Sequence, residues 1–266
     1  MASGLLQSIE SARSRKQLAF LPFLAAGYPS LPAFVAATRA VADAGADCIE
    51  IGFPFSDPIA DGPTIQAAFA EALRIGVRVA DVFAAVREAR KSVPTPLVAM
   101  VSYSIVFRYD VSRFCADAKS AGFDGLLIPD LPPPEAQSVC QTIRAAGLDT
   151  VLLIAPTTSP QRRAEIARLC TGFVYYLSVS GITGERDSLP TDLAAGVAAV
   201  KAVAKVPVCV GFGISRPEHL RQLVGVADGA IVGSAIVKQI RQHAGGSPES
   251  ISDAVAAFCR ELLSGV

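Results

Sequence analysis

The sequence predicts a single (β/α)8 TIM barrel, and three observations support this fold class. Eight short apolar, β-branched segments alternate with longer Ala-rich amphipathic segments. Apolar strands separated by helices are typical of a parallel sheet that is covered on both faces. The chain has 266 residues, close to the roughly 250 residues of one such barrel. No linker or charge run divides it, so we assign residues 1–266 to one domain.

Each predicted element follows from a local pattern of side chains. Strands are predicted where apolar runs are short and rich in β-branched residues. These runs are 18–27, 47–52, 96–102, 124–130, 149–155, 172–178, 207–213 and 229–234. Helices are predicted where apolar residues recur with helical spacing. These stretches are 32–45, 64–91, 111–121, 133–146, 160–170, 191–204, 217–225 and 234–242, with extra helices at 3–14 and 248–263.

An open, doubly wound sheet with a dinucleotide-binding loop is the alternative fold. Its one candidate loop, "GFGISR" at 211–216, lacks the final glycine of the G-x-G-x-x-G pattern and lies late in the chain. The sequence therefore favours the closed barrel.

Composition disfavours several functional classes. The chain has 24 basic and 24 acidic residues and no dense basic cluster, which disfavours nucleic-acid binding. We expect no signal peptide, because the N-terminus "MASGLLQSIESARSRK" lacks the layout of one, and no membrane span, because no apolar run reaches about 18 residues. We therefore expect a cytoplasmic protein. The six cysteines form no C-x-x-C pair and are expected to be buried, reduced thiols. With only two histidines, a zinc site is disfavoured.

Glu50 is the first candidate catalytic residue, because it interrupts the apolar strand "CIEIG". Side chains alternate along a strand, so Ile49 and Ile51 face one side and Glu50 faces the other. We expect Glu50 to point into the barrel near the mouth where active sites lie. Burial there would raise its pKa and suit it to proton transfer. The alternative is a structural ion pair, which is disfavoured because the predicted strands contain no lysine or arginine.

Three further carboxylates follow strands. Asp57 and Asp61 lie in the proline-rich loop "FPFSDPIADGPT", and Asp130 lies in "IPDLPPPE". Each either belongs to the site or only caps a turn or helix. A Mg²⁺ site built from these residues and Glu50 stays open, since carboxylates bind this ion.

Glycine-rich turns predict a phosphate site. "SGITGER" (180–186), "GFGIS" (211–215) and "GSAIV" (233–237) come late in the chain, and the last two follow strands seven and eight. Barrels often bind phosphate there through backbone N–H groups and a helix N-terminus. The alternative is that these glycines only form tight turns between strand and helix. A Schiff-base aldolase and a serine hydrolase are disfavoured, because no strand end carries a lysine and no G-x-S-x-G occurs.

"IEIGFPFSDPIADGPTIQ", "GFDGLLIPDLPPPE", "IAPTTS", "YYLSVSGITG", "VGFGIS" and "GSAIVK" together resemble the tryptophan synthase alpha subunit family over nearly the whole chain. The resemblance implies a lyase of tryptophan biosynthesis. Such a lyase cleaves indole-3-glycerol phosphate to indole and glyceraldehyde 3-phosphate by a retro-aldol reaction that needs no metal. It also implies a beta-subunit partner, in an alpha2-beta2 tetramer. No cofactor is expected in this chain, because pyridoxal phosphate belongs to the beta subunit.

The resemblance also implies roles for single residues. Glu50 matches the catalytic acid/base, and Asp61 matches the aspartate that holds the indole N–H. Asp57 matches a residue at the beta-subunit interface. The phosphate contacts match Gly184, Gly213, Ile214, Gly233 and Ser234. The indole pocket matches Phe23, Ile65, Tyr103, Tyr175 and Thr183.

Two positions depart from the family pattern: Ile105 stands where many relatives have asparagine, and Val179 where some have arginine. Neither change touches the acid/base pair, but Ile105 could alter the loop that signals to the beta subunit. Three alternatives stay open: a free-standing lyase without a beta subunit, a non-catalytic scaffolding barrel, and a metal-dependent lyase.

Overall fold

A computed structural model describes residues 4–58, 61–178, 191–211 and 213–264. Within these ranges, eight parallel strands form a closed barrel in chain order, and the eighth strand pairs with the first. The strands are β1 (Ala19–Ala25), β2 (Ile49–Gly52), β3 (Leu97–Met100), β4 (Gly125–Leu127), β5 (Asp149–Ile154), β6 (Val174–Leu177), β7 (Val208–Gly211) and β8 (Gly229–Val232). Each lies inside its predicted segment, so the predicted barrel is confirmed. The assignment of 1–266 to one domain stays a prediction.

Helices cover the outside of the barrel. In the described ranges they are α1 (Gly4–Ser14), α2 (Leu31–Asp43), α3 (Pro63–Arg74), α4 (Val79–Arg90), α5 (Tyr103–Tyr109), α6 (Val111–Ala121), α7 (Pro133–Ala145), α8 (Pro160–Leu169), α9 (Leu193–Lys201), α10 (Pro217–Leu223), α11 (Ser234–Gln242) and α12 (Pro248–Leu263). The extra helix before the first strand is confirmed as α1.

Two helix predictions differ from the structure. The stretch 64–91, predicted as one helical segment, contains α3 and α4, with Gly76 between them at a φ of 86°. A left-handed glycine ends helices readily because it has no Cβ. The short helix α5 was not predicted. It begins after Ser102, whose hydroxyl oxygen accepts a hydrogen bond from the Ser104 N–H at 3.3 Å.

The strands separate two apolar layers. Ile49 and Ile51 belong to the large cluster that includes the surrounding helices, as the alternation predicts. A second cluster fills the barrel interior, and α1 contributes Leu5, Ile9 and Ala12 to it. Because α1 precedes β1 and supplies these side chains, it closes the end of the barrel opposite the strand C-termini.

Aspartates fasten neighbouring strands at that closed end. Three of them, Asp47, Asp124 and Asp228, lie just before the starts of β2, β4 and β8, and each accepts a main-chain hydrogen bond from an adjacent strand. The donors are the N–H groups of Phe20 at 2.9 Å, Leu97 at 2.9 Å and Val208 at 2.8 Å. These bonds fix strand register far from the open end, which leaves the open end to carry the site.

Candidate active site

The open end of the barrel holds a cavity of about 320 Å³. Its walls combine large apolar side chains with a few carboxylates and a glycine-rich segment. The lining residues include Phe23, Glu50, Phe53, Phe55, Asp57, Asp61, Ile65, Phe69, Met100, Val101, Ser102, Leu127, Pro129, Asp130, Leu153, Tyr175, Gly213, Ile214, Ile231, Gly233 and Ser234. A mostly apolar concavity with few polar groups is typical of a small-molecule site.

Glu50 lies in the cavity wall, as the alternation of β2 predicts. It pairs in register with Phe23 of β1 and is only 2% exposed. Among the described residues it forms no ion pair, and its Oε2 atom has no hydrogen-bond partner. Burial, followed by the negative charge of Asp61, raises the pKa of the Glu50 carboxyl to about 8. A carboxyl that keeps its proton at neutral pH is able to act as a general acid.

Asp61 is the second carboxylate of the cavity and is partly buried. Burial raises the pKa of its carboxyl to about 6. The N-cap of α3 is Gly62, which supplies no side-chain bond. The main-chain oxygen of Asp61 accepts a hydrogen bond from Gln66 Nε2 at 2.6 Å. This bond ties the residue to α3 and leaves its carboxylate on the cavity side.

The two other loop aspartates have different surroundings. Asp57 is exposed at the cavity rim and accepts a hydrogen bond from Ser56 Oγ at 2.7 Å. Asp130 accepts bonds from Ser102 Oγ and the Tyr103 N–H, both at 2.7 Å. Asp130 therefore caps a neighbouring helix, one of its two predicted readings, while also lining the cavity.

The predicted phosphate residues meet at one side of the cavity. Gly213, Ile214, Gly233 and Ser234 all line it, and Gly184 lies outside the described residues. Gly233 is the N-cap of α11, which begins at Ser234. The first N–H groups of a helix have no partner within the helix, and the helix dipole favours an anion there. The geometry is therefore able to receive a phosphate.

The predicted indole-pocket residues are brought together only in part. Phe23, Ile65 and Tyr175 line the cavity, while Thr183 lies outside the described residues. Tyr103 does not appear in the cavity wall, and its hydroxyl donates a hydrogen bond to Glu135 Oε2. Contact between Tyr103 and an indole ring stays a prediction.

Several apolar wall residues were missed by the sequence analysis. They are Phe53, Phe55, Phe69, Leu127 and Leu153. The alternation of side chains along strands, which predicted that Glu50 faces inward, could also have predicted the inward-facing Leu127 and Leu153. The close packing around Gly52 was not predictable from the sequence, because it involves a residue of another strand. A Cβ atom at position 52 would lie 2.5 Å from the Phe23 ring. The missing side chain lets Phe23 lie against the cavity, with its ring edge-to-face to Phe69 at 6.4 Å.

Other predictions concern the rest of the chain. All six cysteines are free and buried, as predicted. The described residues contain no group of three or more His, Cys, Asp or Glu side chains arranged to hold a metal ion. The four carboxylates considered for Mg²⁺ therefore do not converge there. Among the helices that the structure describes, none is long and apolar enough to cross a membrane. Ile105 is half-buried against the apolar core, and Val179 lies outside the described ranges.

The chain is similar in sequence to known proteins along nearly its whole length. A family model described as tryptophan synthase alpha chain matches residues 9–266. The tryptophan synthase alpha chain of Opitutus terrae is 43% identical over 263 residues, covering 99% of this chain and 98% of the relative. That of a Synechocystis species is 43% identical over 255 residues, covering 96% of each.

A solved structure gives the same result in three dimensions. A chain in a structure of Mycobacterium tuberculosis tryptophan synthase superposes with a TM-score of 0.90 at 39% identity. The match covers 100% of this chain and 99% of that chain. Sequence and backbone agree over the same length, so this chain belongs to the tryptophan synthase alpha chain family.

Proposed function

We propose that this chain cleaves indole-3-glycerol phosphate to indole and glyceraldehyde 3-phosphate, the alpha reaction of tryptophan synthase. One observation carries the proposal: two carboxyls with separated pKa values share an apolar cavity. The pKa of Glu50 is about 8 and that of Asp61 is about 6. At pH 7 the first is therefore mostly protonated and the second mostly ionised. Such a pair supplies an acid and a base from the same residue class.

The first step is proton transfer to the indole ring. Glu50 donates its proton to C3, and positive charge develops on the ring. The ring N–H becomes more acidic as a result, and its proton moves to the Asp61 carboxylate. The carboxylate stabilises the charge where it develops, in a cavity with mostly apolar walls.

The second step breaks the carbon–carbon bond. The Glu50 carboxylate removes the proton of the hydroxyl on the neighbouring side-chain carbon, and that oxygen becomes the aldehyde oxygen. The electron pair of the broken bond returns to the ring, and the ring nitrogen recovers its proton from Asp61. Both carboxyls end in their starting states, so the cycle is balanced without a co-reactant.

The phosphate of the substrate supplies binding energy at a distance from the reacting bond. Gly213, Ile214, Gly233 and Ser234 offer main-chain N–H groups and a hydroxyl at the start of α11. Binding of the phosphate end orients the substrate, so that its reacting carbon–carbon bond lies next to the two carboxyls and the apolar wall. By resemblance to the family, Gly184 is proposed as a further phosphate contact and Thr183 as a further contact of the indole ring.

We propose a tryptophan synthase beta subunit as the partner, in an alpha2-beta2 tetramer, with Asp57 at the interface. The exposure of Asp57 at the cavity rim supports this placement. We propose that this chain uses no cofactor of its own and that pyridoxal phosphate belongs to the beta subunit. A cytoplasmic location fits this biosynthetic role.

The test is indole release from indole-3-glycerol phosphate by the purified full chain, with and without a beta subunit and in the presence of EDTA. The substrate itself carries an indole ring, so the released indole is separated from it before it is quantified; the chain adds no indole of its own, because it contains no tryptophan. We expect slow release alone and strong activation by the partner. High activity that the partner does not change would favour a free-standing lyase. Loss of activity in EDTA would favour a metal-dependent one.

Variants connect the activity to the carboxyl pair. Glu50→Gln and Asp61→Asn are expected to abolish most indole release. Glu71→Gln is the matched control, because Glu71 is an acidic residue at the surface paired with Arg74. Activity that survives in Glu50→Gln would contradict the mechanism, whereas a wild-type chain that releases no indole with or without the partner would support a scaffolding barrel.

A further inference from the structure

We propose that Asp130 is a positioning residue that holds the β3–α5 wall of the cavity against the aromatic ring of the substrate. The inference rests on the proposed function, because it assigns the side of the cavity that receives the ring. Asp130 follows β4, whereas the wall that it holds follows β3. The structure joins these two segments through side chains beyond the end of their ladder.

The ladder between β3 and β4 stops just below the cavity rim. Met100 pairs with Leu127 in register, and the Val101 N–H then donates to the Leu127 carbonyl oxygen at 3.0 Å. Ser102 is the next residue and lines the cavity. Its position above the ladder therefore depends on contacts other than strand pairing.

Asp130 supplies two of these contacts, one with each carboxylate oxygen. Oδ2 accepts a hydrogen bond from Ser102 Oγ, and Oδ1 accepts one from the Tyr103 N–H, both at 2.7 Å. The Tyr103 N–H is at the first position of α5, where no partner exists inside the helix. The carboxylate thus satisfies a donor that α5 cannot satisfy, and fixes Ser102 in the same step.

The hydroxyl of Ser102 is oriented by this arrangement. It donates its proton to Asp130 and accepts a hydrogen bond from the Ser104 N–H at 3.3 Å. A proton held on the Asp130 side leaves a lone pair facing α5. An amide at position 130 would place N–H groups in front of the hydroxyl and disturb this order.

A second link joins the same two segments. The Tyr103 hydroxyl donates a hydrogen bond to Glu135 Oε2 in the first turn of α7. The β4–α7 segment therefore holds α5 at its main chain through Asp130 and at a side chain through Glu135. Two separate attachments make the wall resist outward movement more than one would.

The location of the wall predicts which part of the substrate it affects. Met100, Val101 and Ser102 form the wall on the β3 side. The proposed phosphate residues follow β7 and β8, which lie across the ring of eight strands from β3 and β4. Loosening the wall should therefore weaken binding of the aromatic ring and leave phosphate binding intact.

The test compares Asp130→Asn with the wild-type full chain. KM and kcat are measured with indole-3-glycerol phosphate, and dissociation constants are measured with indole alone and with inorganic phosphate alone. We expect about a fivefold rise in KM and in the indole Kd, the size expected when one typical hydrogen bond is disturbed. We expect kcat and the phosphate Kd to change less than about twofold.

Two further variants separate positioning from general stability. Ser102→Ala removes the same hydroxyl bond, so the double variant with Asp130→Asn should show less than the product of the two single effects on the indole Kd. Asp124→Asn is the matched control. Its carboxylate also accepts a main-chain bond from a neighbouring strand, at 2.9 Å from Leu97 N, but at the closed end of the barrel. We expect it to lower the Tm and leave the indole Kd unchanged.

A wild-type indole Kd in Asp130→Asn would overturn the proposal, as would an equal weakening of indole and phosphate binding. The indole measurement needs no turnover, so it tests the wall separately from the lyase reaction. Absence of indole release by a wild-type chain that still binds indole would contradict the proposed function alone. A wild-type chain that bound no indole would overturn both.

Discussion

Gly211 lies directly against the phenol ring of Tyr175. A Cβ atom at position 211 would stand 2.2 Å from the Tyr175 hydroxyl oxygen and 2.5 Å from two of its ring carbons. Gly211 is the last residue of β7, and Tyr175 lines the cavity from the adjacent strand β6. The Tyr175 ring is therefore able to occupy this position only because residue 211 of the neighbouring strand has no side chain.

Gly211→Ala is expected to displace the Tyr175 ring and reduce activity. Overpacking of a filled site costs about 1–3 kcal/mol, which corresponds to roughly a fivefold to 150-fold loss if it falls on the transition state. The measurement is kcat/KM for indole release, with the Tm recorded in parallel.

Two variants control this prediction. Gly245→Ala should be silent, because no atom lies within 4 Å of a Cβ built there. Combining Gly211→Ala with Tyr175→Leu removes the atoms that clash, so the two effects on kcat/KM should not add. Wild-type kinetics in Gly211→Ala would show that the ring moves aside without consequence.

The activity should depend on pH through two groups. Asp61 must be ionised and Glu50 protonated, and their pKa values are about 6 and about 8. We therefore expect kcat/KM to rise through about pH 6 and to fall above about pH 8. The two pKa values obtained from such a profile are apparent values that belong to the interacting pair. The measurement is a profile of kcat/KM between pH 5 and 9.5, and a flat profile would contradict the assignment of acid and base.

Glu50→Gln should change stability as well as activity, in a way that depends on pH. The folded chain holds the Glu50 proton up to about pH 8, whereas the unfolded chain releases it near the ordinary value of 4.5. Between these values the folded chain binds more protons, so the free energy of unfolding falls as pH rises. Glutamine does not titrate. The free energy of unfolding of Glu50→Gln relative to wild type should therefore increase from pH 5 to pH 9, by on the order of a few kcal/mol.

Urea unfolding at both pH values measures this difference. Asp61→Asn should show the same sign over a lower range, between the ordinary value of 3.8 and about 6. A difference between Glu50→Gln and wild type that stayed constant across pH would mean that Glu50 does not carry a raised pKa in the folded chain.

The sequence was sufficient to predict Glu50 because strand alternation is a local property. Ile49 and Ile51 fixed the outer face, and the barrel then required Glu50 to face inward. The same reasoning placed all eight strands, since buried parallel strands are short apolar runs that are visible one at a time.

Features that depend on packing between distant segments were not predictable in this way. Helix α5 is only seven residues long, and its first N–H group is satisfied by Asp130, 27 residues later. The contact of Tyr103 with Glu135 joins residues 32 positions apart. A sequence pattern read within one window does not contain such partners, so both the helix and the position of Tyr103 required the structure.

Asp228→Asn should destabilise the chain without altering catalysis. Asp228 is 7% exposed, accepts the Val208 N–H at 2.8 Å and pairs with Lys201 Nζ at 3.0 Å. Removing its charge weakens the pairing with Lys201, and we expect the free energy of unfolding to fall by about 1–3 kcal/mol. Arg13→Ala should have less effect, because Arg13 is 67% exposed and 3.8 Å from Asp228. Urea unfolding measures both, and a tenfold change in kcat/KM for Asp228→Asn would show that the closed end is coupled to the site.

Ser234→Asp tests the phosphate end of the cavity. Ser234 begins α11 in the cavity wall, where the proposed substrate phosphate meets the helix N-terminus. A carboxylate there would repel the phosphate and occupy its N–H donors, so we expect KM and the Kd of inorganic phosphate to rise at least about tenfold. Ser234→Ala removes only a hydroxyl, and we expect a change of about threefold. The Kd of indole should stay at the wild-type value in both variants, because the ring contacts follow other strands. Phosphate binding that Ser234→Asp leaves as tight as in the wild type would place the phosphate elsewhere in the cavity.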